Sequence, residues 1–148
     1  MAWYDEVHTT KKFRLGTKKR NLLGQEFIYL QGVGSTVAND AVTYDEDGAT
    51  IRLLTSTPAG PVAIAMAAVD ATTEYGFYGI WGEFTVVAGD VADNGAVYAT
   101  ATAGKLDDAE LNLSHIYGAT FRSTDNSTAV TATIQIQYPY HGPEDLSA

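Results

Sequence analysis

Residues 60–82 read GPVAIAMAAVDATTEYGFYGIWG, and this stretch decides the fold. It begins with an apolar run at 62–69, continues through a polar break at 70–74, and ends in an aromatic, glycine-studded run at 75–82. The alanines of the first run would suit a helix, but its Gly-Pro boundary and β-branched residues favour a buried strand. No reacting group, metal-binding cluster or phosphate loop lies in the stretch, so it is specified for packing.

The aromatic run carries large side chains on both of its faces. In an extended strand Phe77 and Trp81 point to one side, because successive side chains alternate between the two faces. Tyr78 and Ile80 then point to the other side. Such a strand is buried between two layers, or packs on a partner with one of its faces. We therefore predict that this run divides between core and subunit contact, and the predicted contact residues are Tyr75, Phe77, Tyr78 and Trp81.

Short apolar or alternating runs separated by turn signals indicate strands along the rest of the chain. The predicted strands occupy residues 27–30, 41–44, 50–54, 96–100, 103–106, 116–122 and 130–138. Asp-Gly at 47–48 predicts a hairpin between the second and third of these. The fourth and fifth form a small hairpin or one bent strand, and residues 107–113 fit either a helical turn or a loop.

The last predicted strand alternates apolar and polar side chains, as a half-buried strand does. Pro139 and Pro143 are expected to end the fold behind it. Strands that recur this often predict an all-β, mainly antiparallel protein. We expect a compact β-barrel or sandwich with an extended N-terminal arm and little helix.

The charge of the chain is unevenly distributed. Residues 1–20 carry six basic and two acidic side chains, a net charge of +4, whereas the remainder carries three basic and sixteen acidic ones, or −13, giving −9 in all. Residues 1–24 also lack an apolar period, which predicts a basic arm that orders on contact, followed by one β-rich domain at 25–148. A basic arm on an acidic body suggests a tether to an acidic surface or to other copies. The predicted binding residues of the arm are Lys11, Lys12, Phe13, Arg14, Lys18, Lys19 and Arg20.

Several classes of function lack support in the sequence. There is no cysteine, which excludes a disulfide scaffold and a thiolate site. No run approaches the length of a membrane span, no signal peptide is apparent, and the acidic body disfavours nucleic acid. His8, His115 and His141 lack metal-ligand spacing, and an EF-hand that began at Asp45 would need a carboxylate where Ser56 stands. We therefore predict no cofactor, no metal and no enzymatic activity.

Four motifs resemble one known family. They are EFIYLQGV at 26–33, VTYD at 42–45, GPVAIAMAAVDATTEYG at 60–76, and AVY at 96–98 followed by AGKLDDA at 103–109. In these motifs the chain resembles the small head decoration, or capsid cement, proteins of tailed bacteriophages. The basic arm and the tail YPYHGP at 138–143 have no counterpart in that pattern.

The resemblance implies a structural virion protein, made in the host cytoplasm and bound in many copies to the outer surface of an icosahedral head. Its partner would be the major capsid protein, whose subunits it would bridge to stabilise the shell, and such proteins are often homotrimers. No catalytic residue comes with the resemblance. As a hypothesis, residues 8–20 leave the body and pair with a strand or loop edge of the shell protein.

Two other classes of function remain open. The first is a carbohydrate- or host-surface-binding module, whose rings would stack on sugars; the candidate rings are Tyr78, Trp81, Tyr138 and Tyr140. The second is an enzyme, which the motifs support least because no serine lies in a nucleophile-elbow pattern.

Overall fold

The computed structural model describes residues 2–110, 114–122 and 131–142 of the chain. A single turn of 3-10 helix, Trp3–Asp5, precedes ten strands. The strands are β1 (Lys18–Arg20), β2 (Glu26–Gln31), β3 (Ala41–Tyr44), β4 (Thr50–Arg52), β5 (Gly60–Ala65), β6 (Tyr75–Val87), β7 (Ala96–Ala99), β8 (Leu106–Asp107), β9 (His115–Phe121) and β10 (Thr131–His141).

All ten strands belong to one antiparallel sheet, which confirms the all-β prediction. The strand order is β1-β2-β6-β5-β10-β9-β7-β8, and β3 pairs with β5 and carries β4. The sheet does not close into a barrel. At its edge, Leu106 of β8 forms one isolated bridge with Ala88, the residue that follows β6, and this bridge does not extend into a strand pairing. The fold is therefore consistent with the sandwich alternative.

Strand β6 joins the two halves of the sheet. Its first half pairs with β2 and β5, and its second half pairs with β10. Between the halves, Gly82 has a φ of 119°, a conformation that side-chain-bearing residues rarely adopt, and the β2–β6 register shifts beside it. The irregularity reverses the alternation of faces, so that Phe77 and Phe84 reach the same core although they are an odd number of positions, seven, apart.

Both faces of the β2–β6–β5–β3 region are buried. The larger core contains Phe27, Phe77 and Phe84 together with the inward side chains of β7, β9 and β10. A second core, on the opposite face, contains Ile28, Leu30, Val42, Ala63, Ala65, Val69, Tyr78 and Ile80. The two apolar faces predicted for β6 are observed from Phe77 to Ile80, and both are filled by the protein's own side chains. The prediction that Trp81 shares the face of Phe77 is wrong: Trp81 belongs to neither core, because the register shift lies between it and Gly79.

The predicted strands correspond closely to the observed ones. The run at 62–69 forms a strand and not a helix, but the strand ends at Ala65 and the chain turns before Val69. The β3–β4 and β7–β8 hairpins are both present. Beyond Asp107, residues 108–110 form no helix, and residues 111–113 lie outside the described part of the chain.

The expectation that Pro139 ends the fold is wrong. Strand β10 continues through Pro139 to His141, which pairs with Gly60 of β5. The strand tolerates the proline because the register shifts between Ile136 and Tyr140, so the missing N–H falls at a bulge. The same shift turns Tyr138 outward, although its place in the alternation predicts that it is buried. The residues at 123–130, most of which separate the last two predicted strands, and Pro143 lie outside the described part of the chain.

The N-terminal segment does not extend away from the body. Residues 2–24 lie along β2 and β6, and β1 is hydrogen-bonded to β2 throughout its length. Trp3, Tyr4 and Leu15 pack against the larger core and provide the apolar contact that holds the segment down. Sequence reasoning missed this because these side chains are irregularly spaced and form no period.

Candidate functional site

Aromatic contacts attach the start of the N-terminal segment to the sheet. The Trp3 ring packs edge-on against Phe77 and Phe27, with ring centres 5.0 and 5.4 Å apart. Tyr4 stacks on Phe27 with ring centres 4.8 Å apart. The backbone of His8 exchanges two hydrogen bonds of 2.8 Å with Tyr75. These contacts make the segment part of the fold.

Lys19 lies among three aromatic rings at the middle of the segment. Its ammonium group is 4.4 Å from the ring centre of Trp3, 5.2 Å from that of Phe13 and 5.8 Å from that of Phe77. An ammonium group over aromatic faces is attracted by their quadrupoles. Lys19 therefore joins the N-terminal segment to β6. Beside it lies a groove of about 260 Å³, lined by Trp3, Glu6, His8, Lys12, Phe13, Lys19 and Phe77.

Other basic side chains of the segment also lie near aromatic rings. Lys11 approaches Tyr75 at 5.9 Å, and the Arg20 guanidinium approaches Trp81 at 5.8 Å. The backbone N–H of Lys12 donates to the Tyr29 hydroxyl at 3.1 Å. The side chains of Lys11, Lys12, Phe13 and Arg14 are exposed. The two groups of residues that the sequence predicted separately, the basic arm and the aromatic strand, thus lie next to each other.

The predicted subunit-contact residues differ in how much of them reaches the surface. Phe77 and Tyr78 are buried in the two cores, and burial raises the pKa of Tyr78 to about 12. Tyr75 and Trp81 are half-buried. The subunit contact stays a prediction, and of the four residues only Tyr75 and Trp81 have surface with which to make it.

The turn between β1 and β2 presents two leucines to solvent. The side-chain oxygen of Asn21 accepts hydrogen bonds from the N–H groups of Leu23 and Gln25, at 3.1 and 2.9 Å. Two further backbone bonds, from Gly24 to Asn21 and from Asn21 to Gln25, close the turn. Leu22 is fully exposed and Leu23 is 83% exposed. We call this element, residues 18–24, the basic hairpin tip, since its three leading residues are Lys18, Lys19 and Arg20.

A polar network connects the basic hairpin tip to β10. The Tyr138 hydroxyl donates to the Glu26 carboxylate at 2.6 Å, and Arg20 pairs with the same carboxylate at 3.0 Å. These hydrogen bonds, that of Tyr138 first, lower the pKa of Glu26, and the bond to Glu26 raises the pKa of Tyr138. Lys18 lies 6.0 Å from the Tyr138 ring. Tyr138 has a φ of 49°, a strained value for a bulky residue, and the network fixes its ring in that position.

The structure also shows a row of aromatic side chains that the sequence did not single out as a unit. On the face opposite the larger core, Tyr98 of β7 lies 5.2 Å from His115 of β9, and His115 lies 4.4 Å from Tyr117. Tyr117 is the cross-strand partner of Tyr140 in β10. Tyr138 of β10 is hydrogen-bonded to Glu26 of β2, and Trp81 of β6 is the cross-strand partner of Glu26; both rings are at least partly exposed. We call these six residues the aromatic row. In the sequence, only the alternation of side chains within short strands indicates that these residues share a face. They come together because β7, β9 and β10 are neighbours in the sheet.

Neither a metal centre nor a membrane helix is evident where the structure is described. Residues 2–110, 114–122 and 131–142 contain no group of three or more His, Asp or Glu side chains placed to hold a metal. Within the same ranges no helix is long and apolar enough to cross a membrane. Asp45, the candidate calcium ligand, accepts hydrogen bonds from the backbone of Asp47 and Ala49 at its own turn.

No protein-family model matches the chain, and no curated protein is significantly similar to it. The likeness to capsid decoration proteins therefore rests on the sequence motifs alone.

Proposed function

We propose that this protein is a structural decoration protein of an icosahedral phage head, bound to the outer surface of the shell and bridging major capsid protein subunits. The observation that carries the proposal furthest is the basic hairpin tip. It combines two solvent-exposed leucines, a turn held by hydrogen bonds, and three basic residues on a chain of net charge −9. The two adjacent leucines form an exposed apolar patch, and such patches mark interaction sites.

The basic hairpin tip would contribute to both the affinity for the shell and the electrostatic attraction toward it. Burial of one leucine side chain contributes about 1.5–3 kcal/mol. Lys18 and Arg20 are exposed on β1, where they would attract acidic groups of the shell protein and speed encounter. Each contact can be modest, because a partner that bridges several shell subunits binds them with an increased effective concentration.

The outer edge of β1 offers a second kind of contact. β1 stands at one end of the strand order and pairs only with β2. The backbone groups on its other side are therefore available to an added strand, a common way in which proteins bind extended segments. This edge replaces the freely extended arm of residues 8–20 as the site of main-chain pairing in our proposal.

The test is binding to purified capsids that lack decoration. We expect the wild-type protein to co-sediment with them and the double variant Leu22→Ser, Leu23→Ser to lose most of its binding. Deletion of residues 1–20 is unsuitable for this purpose, because it would remove Trp3 and Lys19 from the fold. The matched control is Val37→Ser, which changes another half-exposed aliphatic residue outside the tip.

Undiminished binding by the leucine double variant would overturn the role of the tip. Failure of the wild-type protein to bind any capsid of its own phage would overturn the function itself. Homotrimer formation is a separate part of the proposal, which analytical sedimentation of the free and capsid-released protein checks.

A further inference from the structure

We propose that the aromatic row is a binding surface for a neutral glycan chain. This inference does not rest on capsid binding, although the row adjoins the basic hairpin tip at Tyr138 and Trp81, which Lys18 and Arg20 approach. It concerns Tyr98, His115, Tyr117, Tyr140, Tyr138 and Trp81.

The geometry of the row suits an extended ligand. Its members come from four strands, β7, β9, β10 and β6, so the row runs across the sheet from one strand to the next. Neighbouring strands lie about 4.8 Å apart. Because β9 and β10 each contribute two rings, the rings form a stepped patch across the sheet. Tyr117, Tyr140 and Tyr138 are 40%, 47% and 54% exposed, so their ring faces are accessible.

Two of these positions are fixed before any ligand binds. The Tyr138 ring is held by its hydrogen bond to Glu26, and its backbone is held at a positive φ. Tyr117 is held by the edge-on contact with His115. Backbone strain at an exposed aromatic residue is typical of binding sites, where the surrounding contacts maintain it. Ordered rings lose little entropy when a ligand stacks on them.

The chemistry of the row favours sugars over an apolar protein partner. Every ring in it carries a hydroxyl group or a ring nitrogen, so each offers an apolar face and a hydrogen-bonding edge. Phenylalanine is absent from the row, whereas Phe27, Phe77, Phe84 and Phe121 lie in the larger core. The most exposed aliphatic side chains, Leu22 and Leu23, are at the hairpin tip. Sugar rings have the same combination of apolar C–H faces and polar edges.

Charge narrows the class of glycan. Across the chain the net charge is −9, which repels sulfated and uronic-acid polymers. The row itself contains no carboxylate, lysine or arginine; the basic side chains beside it are Lys18 and Arg20, and Arg20 is paired with Glu26. The ligand that fits is therefore a neutral chain of several sugars, of the kind found in bacterial surface polysaccharides.

The experiment measures binding of the full-length protein to three neutral hexasaccharides, cellohexaose, maltohexaose and chitohexaose, by isothermal titration and by ligand-observed NMR. A hyaluronan hexasaccharide serves as the acidic comparison. We expect at least one neutral probe to bind and the acidic probe not to bind. Tyr140→Ala and Tyr117→Ala should each weaken binding by about tenfold, the loss of one stacking contact.

Two variants serve as controls. Tyr140→Phe keeps the ring and should bind within about threefold of wild type, because it loses at most one exposed hydrogen bond. Phe13→Ala removes an exposed aromatic side chain outside the row and should leave glycan binding unchanged.

No binding of any neutral probe at millimolar concentration would overturn the proposal. So would protection of Tyr117 and Tyr140 from iodination only on decorated capsids, which would assign the row to a protein interface. Loss of self-association in the Tyr117→Ala variant, with no glycan bound, would assign it to a second copy of the chain.

Discussion

The two ends of the N-terminal segment place apolar side chains in opposite environments. At its start, Trp3 is packed against Phe27 and Phe77 and covered by Lys19. At its end, Leu22 and Leu23 project into solvent from an ordered turn. The two ends also differ in local charge, since Asp5 and Glu6 follow Trp3 whereas Lys18, Lys19 and Arg20 precede the leucines. The comparison teaches that the first end serves the fold and that the second is free to serve a partner.

The largest expected loss of stability comes from changing Phe77, the core residue against which Trp3 packs. Phe77→Ala removes the side chain beneath Trp3 and Phe13 and leaves a cavity in the larger core. We expect the free energy of unfolding in urea to fall by about 3–5 kcal/mol. Phe77→Leu, which keeps most of the volume, should cost much less. If the two variants lost the same unfolding free energy, stability would not depend on the volume that the side chain at position 77 fills.

The second-largest loss of stability is expected when the aromatic contact that attaches the start of the N-terminal segment to the sheet is removed. Trp3→Ala should lower the free energy of unfolding by about 2 kcal/mol, because the ring is only partly buried. It should also speed hydrogen exchange at the amides of His8 and Tyr75, which bond to each other's carbonyl groups. Trp3→Phe is the control and should retain most of the protection. Unchanged exchange in Trp3→Ala would mean that the segment is held by other contacts.

Acid should destabilise the body of the protein through His141. Burial lowers the pKa of His141, whose ring nitrogens have no hydrogen-bond partner among the described residues. The unfolded chain therefore binds a proton more readily than the native state, so stability falls as the pH drops below about 6.5, the usual value for histidine. Unfolding free energies measured from pH 7.5 to 5 should decline less steeply in His141→Gln than in wild type. Identical slopes would exclude His141 as the cause.

The smallest effect on stability is expected at the exposed end. The double variant Leu22→Ser, Leu23→Ser should change the free energy of unfolding by no more than about 0.5 kcal/mol, because neither side chain contacts the core. Thermal unfolding checks this. A loss of more than twice that size would show that the leucines stabilise the fold, and the comparison between the two ends would then fail.

Much of the fold could be predicted because it depends on local patterns. The alternation in β10 from Ala132 to Ile136, the Asp-Gly turn at 47–48 and the apolar run of β5 are each complete within a few residues, and all three are observed. The prediction failed where the pattern breaks inside a strand. The backbone irregularities at Gly82 and Tyr138 reverse the alternation of faces, and each depends on pairing with another strand.

The candidate surfaces were less predictable for the same reason. The basic residues of the arm could be recognised from composition, but their attachment to the sheet depends on Trp3, which only packing reveals. Tyr98, His115 and Tyr117 carry no motif, and they join Tyr140 because β7, β9 and β10 are neighbours in space.

The sequence by itself determined the all-β class, the hairpins and the separation of a basic segment from an acidic body, since these follow from local periodicity, turn chemistry and charge. Only the tertiary structure decided which aromatic side chains are buried, where the N-terminal segment lies and which rings share a face. The physical reason is that burial depends on contacts between residues far apart in the chain. Two runs of similar composition can therefore become core in one place and surface in another.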